Sequence, residues 1–177
     1  MSQILEQSAQ WNNKLYILYV DFEKAFDSLY RETLWNILRS YGLPVKIVNI
    51  IRMLYKDFQC KVVCGQHLTD SFRVQTGVKQ GCILSPFLFL LAMDWLMKRT
   101  TADKKRGIQW ALNSVLEDLD FADDIGLLSS HHSDIQENMD RLTSLASQIG
   151  MKVNVGKTKL MRLNTKSNQP ITVNNQQ

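Results

Sequence analysis

Two adjacent acids, Asp123 and Asp124, close the run Leu119-Asp120-Phe121-Ala122-Asp123-Asp124, ahead of a second apolar run from Ile125 to Leu128. Successive side chains of a strand point to opposite faces, so apolar runs on both sides of the pair predict a tight hairpin turn that presents both carboxylates together. Such a pair calls for cations. Two divalent ions roughly 3.5 to 4 Å apart, held by carboxylates, support in-line nucleotidyl or phosphoryl transfer. A solvated turn is the commoner reading of two acids alone, so the case for chemistry needs a third ligand from elsewhere in the chain.

Asp21 is the candidate. It opens Asp21-Phe22-Glu23-Lys24-Ala25-Phe26-Asp27-Ser28, which places three acids within seven residues. Asp27 or Ser28 reads as a helix cap, with acids favoured by the helix dipole. Asp21 instead stands where the apolar run Leu15 to Val20 ends, and a carboxylate there is costly to bury unpaired, so a cation or a lysine such as Lys24 must serve it. If Asp21 and the Asp123 turn lie on adjacent strands, the carboxylates converge into a hard-oxygen site suited to magnesium. One ion would lower the pKa of an attacking hydroxyl and the other would steady a pyrophosphate leaving group.

Two further segments have the composition of ligand loops. Gly77-Val78-Lys79-Gln80-Gly81-Cys82-Ile83-Leu84-Ser85-Pro86 puts two glycines, a lysine and a glutamine before a helix start, which lets a ligand approach the backbone and gives it an amide to bond. A plain glycine turn feeding a helix explains the same residues. Gly156-Lys157-Thr158 resembles the end of a phosphate loop but fails on spacing, because the required earlier glycine position is Met151. Lys157 remains able to meet a phosphate as a point charge.

The elements that position these residues read as follows. Leu15 to Val20 is a central strand. Leu34, Ile37, Leu38 and Tyr41 mark a helix stopped by Gly42 and Pro44, and Ile47, Ile50, Ile51 and Leu54 mark the buried stripe of the next one. Gln59 to Cys64 and Ser71 to Gln75 form a hairpin. Ser85-Pro86 opens a helix that runs apolar to Met97 and is buried on most sides. Ser133 with Gln136 makes a capping box for a helix with the stripe Ile135, Met139, Leu142, Ala146 and Ile149, ending at Gly150. Met151 to Val155 and Thr158 to Leu163 are short strands. The order predicts an α+β fold, an antiparallel sheet with helices packed on one face. Residues 1–163 form the domain, and the polar stretch 164–177 is expected to be frayed.

Composition sets outer bounds. A chain of 177 residues with 45% hydrophobic content supports one domain with a sizeable core. A net charge of +4 and a pI near 9.0 permit a polyanionic partner without requiring one. Three cysteines, Cys60, Cys64 and Cys82, argue against a disulfide scaffold, and Cys60, Cys64 and His67 lack a fourth zinc ligand. With neither a leader pattern nor a membrane-spanning run, the expectation is an intracellular protein of the cytoplasm or nucleus, away from membranes.

Taken in order, Tyr19 to Asp27, Gly77 to Pro86, Phe121 to Asp124 and Gly150 to Thr158 resemble the palm motifs of reverse transcriptases, nearest to the non-LTR retrotransposon (LINE-like) group. The resemblance implies a polymerase palm with an RRM-like core that performs RNA-directed DNA synthesis on an RNA template and DNA primer from deoxynucleoside triphosphates. It implies that Asp21, Asp123 and Asp124 hold two Mg2+ ions, with Mn2+ as the alternative, and that Lys157 acts as a general acid toward pyrophosphate. Phe22, Phe26, Gln80, Gly81 and Asn154 fall where the family seats the nucleotide, with Phe26 at the ring that excludes a ribose 2′-hydroxyl. Phe121 replaces the family's frequent tyrosine. The family's fingers and thumb have no counterpart here, so the expectation is a fragment of a longer polyprotein. The alternatives are a catalytically silent retroelement remnant that binds nucleic acid or acts as a scaffold, and a nucleotide cyclase.

Overall fold

The computed structural model describes residues 2–111, 114–121 and 124–173. In chain order these form α1 (Ser2–Gln10), β1 (Leu15–Val20), α2 (Ala25–Ser28), α3 (Arg31–Ser40), α4 (Val45–Tyr55), β2 (Gln59–Cys60), β3 (Val63–Cys64), β4 (His67–Leu68) and β5 (Phe72–Arg73). They continue as α5 (Leu84–Thr100), β6 (Ile108–Ala111), β7 (Ser114–Leu116), β8 (Asp118–Phe121), β9 (Asp124–Ser129), α6 (His132–Gln148) and β10 (Lys159–Leu163).

A four-stranded sheet in the order β10-β1-β9-β8 carries the site, and every pairing in it is antiparallel. β1 lies inside the sheet with apolar side chains on both faces, as its unbroken apolar sequence requires. Tyr16, Leu18 and Val20 pack into the main core with α5 and α6, while Leu15 and Ile17 join Ile4 of α1, Ile108 of β6 and Leu128 of β9 in a second cluster. The layer of helices α3, α5 and α6 therefore covers one face. On the other face, among the described residues, α1 and the β6–β7 hairpin shield the end near Leu15, and the end near Tyr19 borders a cleft.

Several elements depart from the sequence reading for local reasons. In α4 the buried residues are Val48, Ile51 and Tyr55, whereas Ile47, Ile50 and Leu54 are about half exposed. In α5 one stripe through Leu88, Phe89, Ala92, Met93 and Leu96 is buried, but Phe87 and Leu90 face outward, so the helix is covered on one side rather than most. Neither expected cap forms. α5 begins at Leu84 and Ser85 Oγ instead donates to the Lys79 carbonyl at 2.5 Å, while α6 begins at His132 with Ser133 already inside it. Met151 to Val155 contributes a single bridge, Phe22 to Val153, instead of a strand. The 58–74 hairpin is split into two short ladders, β2 with β5 and β3 with β4.

The polar stretch after Leu163 docks onto the domain through its last described residue. Tyr16 and Thr165 hydroxyls lie 2.9 Å apart, Gln136 both donates to and accepts from the Thr172 backbone, and Val173 is buried in the main core. No helix among the described residues is long and apolar enough to cross a membrane.

Candidate active site

β1 releases Asp21 one residue beyond Val20, which is paired with Ile125, the neighbour of Asp124. The sheet register thus brings the two acids to one edge. Asp21 and Asp124 line a single cleft of about 700 Å³ together with Tyr19, Asp120, Gly126, Lys157 and Lys159. Asp124 pairs with Phe121 at the end of the β8–β9 hairpin. Asp123, the other acid of the pair, lies outside the described residues.

The turn from Asn154 to Thr158 fixes the Asp21 backbone. The Asn154 N–H donates to the Asp21 carbonyl at 2.8 Å, the Asp21 N–H reaches Thr158 Oγ1 at 3.4 Å, and that hydroxyl donates to the Asn154 carbonyl at 2.9 Å. The Asp21 side chain is left differently. Its Oδ2 is shielded from solvent and accepts no hydrogen bond among the described residues, and Lys157 Nζ stands 3.7 Å away. An orphaned carboxylate oxygen is costly unless a cation completes it. A lysine does serve Asp21, but it is Lys157; Lys24, the example offered by the sequence, holds a left-handed conformation (φ 47°) at the start of α2. Among the described residues no three His, Cys, Asp or Glu side chains form a ready metal cluster.

Asn154 and Lys157 border a second concavity of about 560 Å³ with Phe22, Lys24 and Lys152. Phe22 is itself part of the core, so its ring is a wall rather than a free surface. Lys152 pairs with Glu23 at 3.0 Å. Lys157 borders both spaces and stands between the acids and this basic rim.

A third cavity, about 440 Å³, unites Phe26 with Gln80, Gly81, Cys82, Ile83, Ser85 and Pro86. Phe26 is held by Phe89, with ring centroids 4.2 Å apart and planes at 15°. Asp27 does not cap α2; its Oδ1 accepts from Gln80 Nε2 at 3.0 Å. Gly77 makes this contact possible, because a Cβ there would fall 2.6 Å from the Asp27 Cα and the Phe26 carbonyl oxygen.

Sequence reasoning passed over Tyr19, Asp120, Lys152 and Lys159. Asp120 carried a signal, since it belongs to the same acidic run as Asp123; the lysines carried none. Two residues upstream of Asp120, Asp118 has its pKa pushed up to about 6, first by burial and then by the nearby Asp120 and Glu117 charges.

Comparison with known proteins bears on what this arrangement is. A family model described as reverse transcriptase (RNA-dependent DNA polymerase) matches residues 1–173. The chain is similar to a retrovirus-related Pol polyprotein from the type-2 retrotransposable element R2DM of Drosophila melanogaster, at 30% identity over 170 residues, covering 96% of this chain and 16% of that protein. It is also similar to an R2 Pol polyprotein of Nasonia vitripennis, at 27% identity over 188 residues, covering 100% of this chain and 18% of that one. The chain thus spans less than a fifth of the length of these curated relatives. Among solved structures, an apo telomerase from Candida tropicalis truncated from its C-terminal domain superposes with a TM-score of 0.68 at 16% identity, over 94% of this chain and 36% of that one. At that identity the likeness speaks to the fold alone.

Proposed function

We propose, from the premise that this chain belongs to the reverse transcriptase (RNA-dependent DNA polymerase) family, that it is the palm of an RNA-directed DNA polymerase from a non-LTR retrotransposon polyprotein. Its substrates on this reading are an RNA template, a DNA primer and deoxynucleoside triphosphates, met in the cytoplasm or nucleus. The remaining parts of the polyprotein would hold the duplex.

The observation that carries the reading is the unsatisfied Oδ2 of Asp21 on the cleft that Asp124 also lines. A buried carboxylate oxygen without a donor fits a cation-binding role, and oxygen-only ligands suit Mg2+, with Mn2+ next. Asp21, Asp123 and Asp124 would hold two such ions. Bound there, the metals supply activation of the primer hydroxyl and charge neutralisation at the phosphates. The chain's own residues do the rest. The Asn154–Thr158 turn holds Asp21 in place through its backbone, and Lys157 offers an ammonium proton toward the pyrophosphate side. Phe26, backed by Phe89, presents a rigid ring to the sugar, and Gln80 with Gly81 leaves a base room to approach the backbone. Phe22 and Asn154 border the basic space beside the acids, where a triphosphate would lie.

Primer extension on an RNA template with Mg2+ or Mn2+ tests the reading, with Asp123→Asn and Asp21→Asn as controls. Weak metal-dependent incorporation is expected of the isolated chain, falling at least about 100-fold in either variant, the scale on which losing a transition-state charge contact is felt. Equal incorporation by wild type and Asp123→Asn sinks the assignment of Asp123. Salt-dependent duplex binding without incorporation under either metal favours a silent, nucleic-acid-binding remnant instead.

A further inference from the structure

Arg31, the first residue of α3, takes no part in the chemistry above, yet all three of its guanidinium nitrogens are committed to one loop. Nη1 donates to the Val74 carbonyl at 2.7 Å, Nη2 to Thr76 at 2.9 Å and Nε to Gly77 at 2.9 Å. The same group lies 5.1 Å from the ring centre of Tyr55 and 5.7 Å from that of Phe58. A planar guanidinium is built to serve several acceptors from one fixed fork, and a lysine ammonium is not.

The bonds continue along the loop. Thr76 Oγ1 donates to the Asp27 carbonyl at 2.8 Å, the Gly77 N–H to Leu29 at 2.8 Å and the Val78 N–H to Phe26 at 2.8 Å. On the far side, Lys79 Nζ sits 4.5 Å from the Phe58 ring centre, and Ser85 Oγ closes on the Lys79 carbonyl. Gln80 and Gly81 therefore lie between two anchored points, with the Gln80 amide delivered to Asp27.

We propose that Arg31 is a positioning residue: by gathering the Val74, Thr76 and Gly77 carbonyls it sets Gln80 and Gly81 against Phe26 and so fixes the nucleotide seat. This rests on the preceding reading that the Phe26–Gln80 cavity receives the nucleotide. The converging observation is that three backbone carbonyls of the loop and three backbone or hydroxyl donors tie it to residues 26–31, the segment that carries Phe26 and Asp27.

The test uses the 15N-labelled chain with amide hydrogen exchange, the Gln80 side-chain amide resonances, and titration with a deoxynucleoside triphosphate and Mg2+. Wild type is compared with Arg31→Lys, which keeps charge and stem, and Arg31→Met, which keeps the stem. Exchange at Gly77 and Val78 is expected to quicken at least about 10-fold, and the nucleotide Kd to weaken at least about 5-fold, the scale of losing charge-assisted hydrogen bonds. Leu18 and Leu127 amides should stay as protected as in wild type. If Arg31→Met does not fold, Arg31→Lys carries the comparison. Unchanged exchange at Gly77 and Val78, or a loosened loop with undiminished nucleotide affinity, overturns the positioning role. A wild-type chain with no nucleotide-dependent shift at Gln80 sinks the nucleotide reading and this role together, whereas a responsive wild type matched by equally responsive variants sinks this role alone.

Discussion

Lys157 Nζ stands 3.7 Å from Asp21 Oδ2, too far for a hydrogen bond and close enough to lend cationic charge to an otherwise unpartnered oxygen. Lysine and a divalent ion compete for the same carboxylate. Lys157→Met is accordingly expected to tighten Mn2+ binding to the cleft. The lysine side chain is largely exposed, so the pair is screened and the gain is about 1 kcal/mol or less, up to about 5-fold in Kd. Isothermal titration checks it against an Asp21→Asn background, where the gain should vanish. Tightening that persists without Asp21 would show that the competition is not at this carboxylate.

Two glycines of one loop should respond very differently to alanine. Gly77 has φ +74°, and a Cβ added to it would fall 2.6 Å from backbone atoms of Phe26 and Asp27, which cannot yield as a flexible side chain would. Gly81 has φ +82° with nothing within 4 Å of the same position. Gly81→Ala therefore carries only the left-handed penalty, about 1 kcal/mol, while Gly77→Ala adds a backbone clash and should cost about 3 kcal/mol or more. Urea denaturation of the two variants measures the difference. Equal midpoints would mean that the 77–78 segment is not packed against residues 26–27.

How much of this is legible in sequence depends on the range of the signal. β1, α3 and α6 follow from apolar spacing because each has one clear pattern, and Asp21 stands out as an acid at the end of an apolar strand. The stripe expected for α4, Ile47-Ile50-Ile51-Leu54, is right only at Ile51, because Val45 to Tyr55 is apolar on nearly every side and spacing alone does not choose it over Val48-Ile51-Tyr55. Tyr55 decides it, by bringing its hydroxyl to 3.3 Å from Ser85 Oγ, a contact 30 residues away. Sequence asks for a cation or a lysine at Asp21, with Lys24 near in the chain, and the structure supplies Lys157, since an antiparallel sheet returns β10 beside β1 while a left-handed residue starts the local turn. Arg31 is invisible in sequence for the same reason, its acceptors lying more than 40 residues downstream. Ile171 and Val173 are too sparse in a polar stretch to signal docking, yet two apolar side chains and the Gln136 bonds suffice to seat it.

Arg106 is a stabilising feature with no sequence motif to announce it. Its side chain is 3% exposed and bonds Asp103 and Glu137, its N–H donates to Glu117 at 2.9 Å, and its carbonyl accepts from Ser129 at 2.7 Å. It joins the loop after α5 to α6 and to the end of β9. Arg106→Met keeps the stem, and the acids it leaves are about half exposed, with Asp103 still paired to Arg141, so the loss is that of the guanidinium's own bonds and should be about 1 kcal/mol. The loss should appear in thermal or urea unfolding and be largely independent of added nucleotide or metal. A change within about 0.5 kcal/mol would place the network among surface ion pairs that contribute little.

Asp118 gives the domain a defined pH response. Burial, with Asp120 and Glu117 nearby, raises its pKa to about 6 in the folded state, against an ordinary carboxylate value of about 4 when unfolded. Between those values the folded chain binds more protons than the unfolded one, so stability from this group is complete below about pH 4 and is lost as pH rises through about 6. Asp118→Asn cannot ionise and should flatten that decline. After discounting for the solvent that still reaches the side chain, the variant should gain about 1 kcal/mol on wild type at pH 7.5 and almost nothing at pH 4. Urea midpoints at the two pH values decide it, because a variant whose difference from wild type is the same at both has lost a contact rather than a titration.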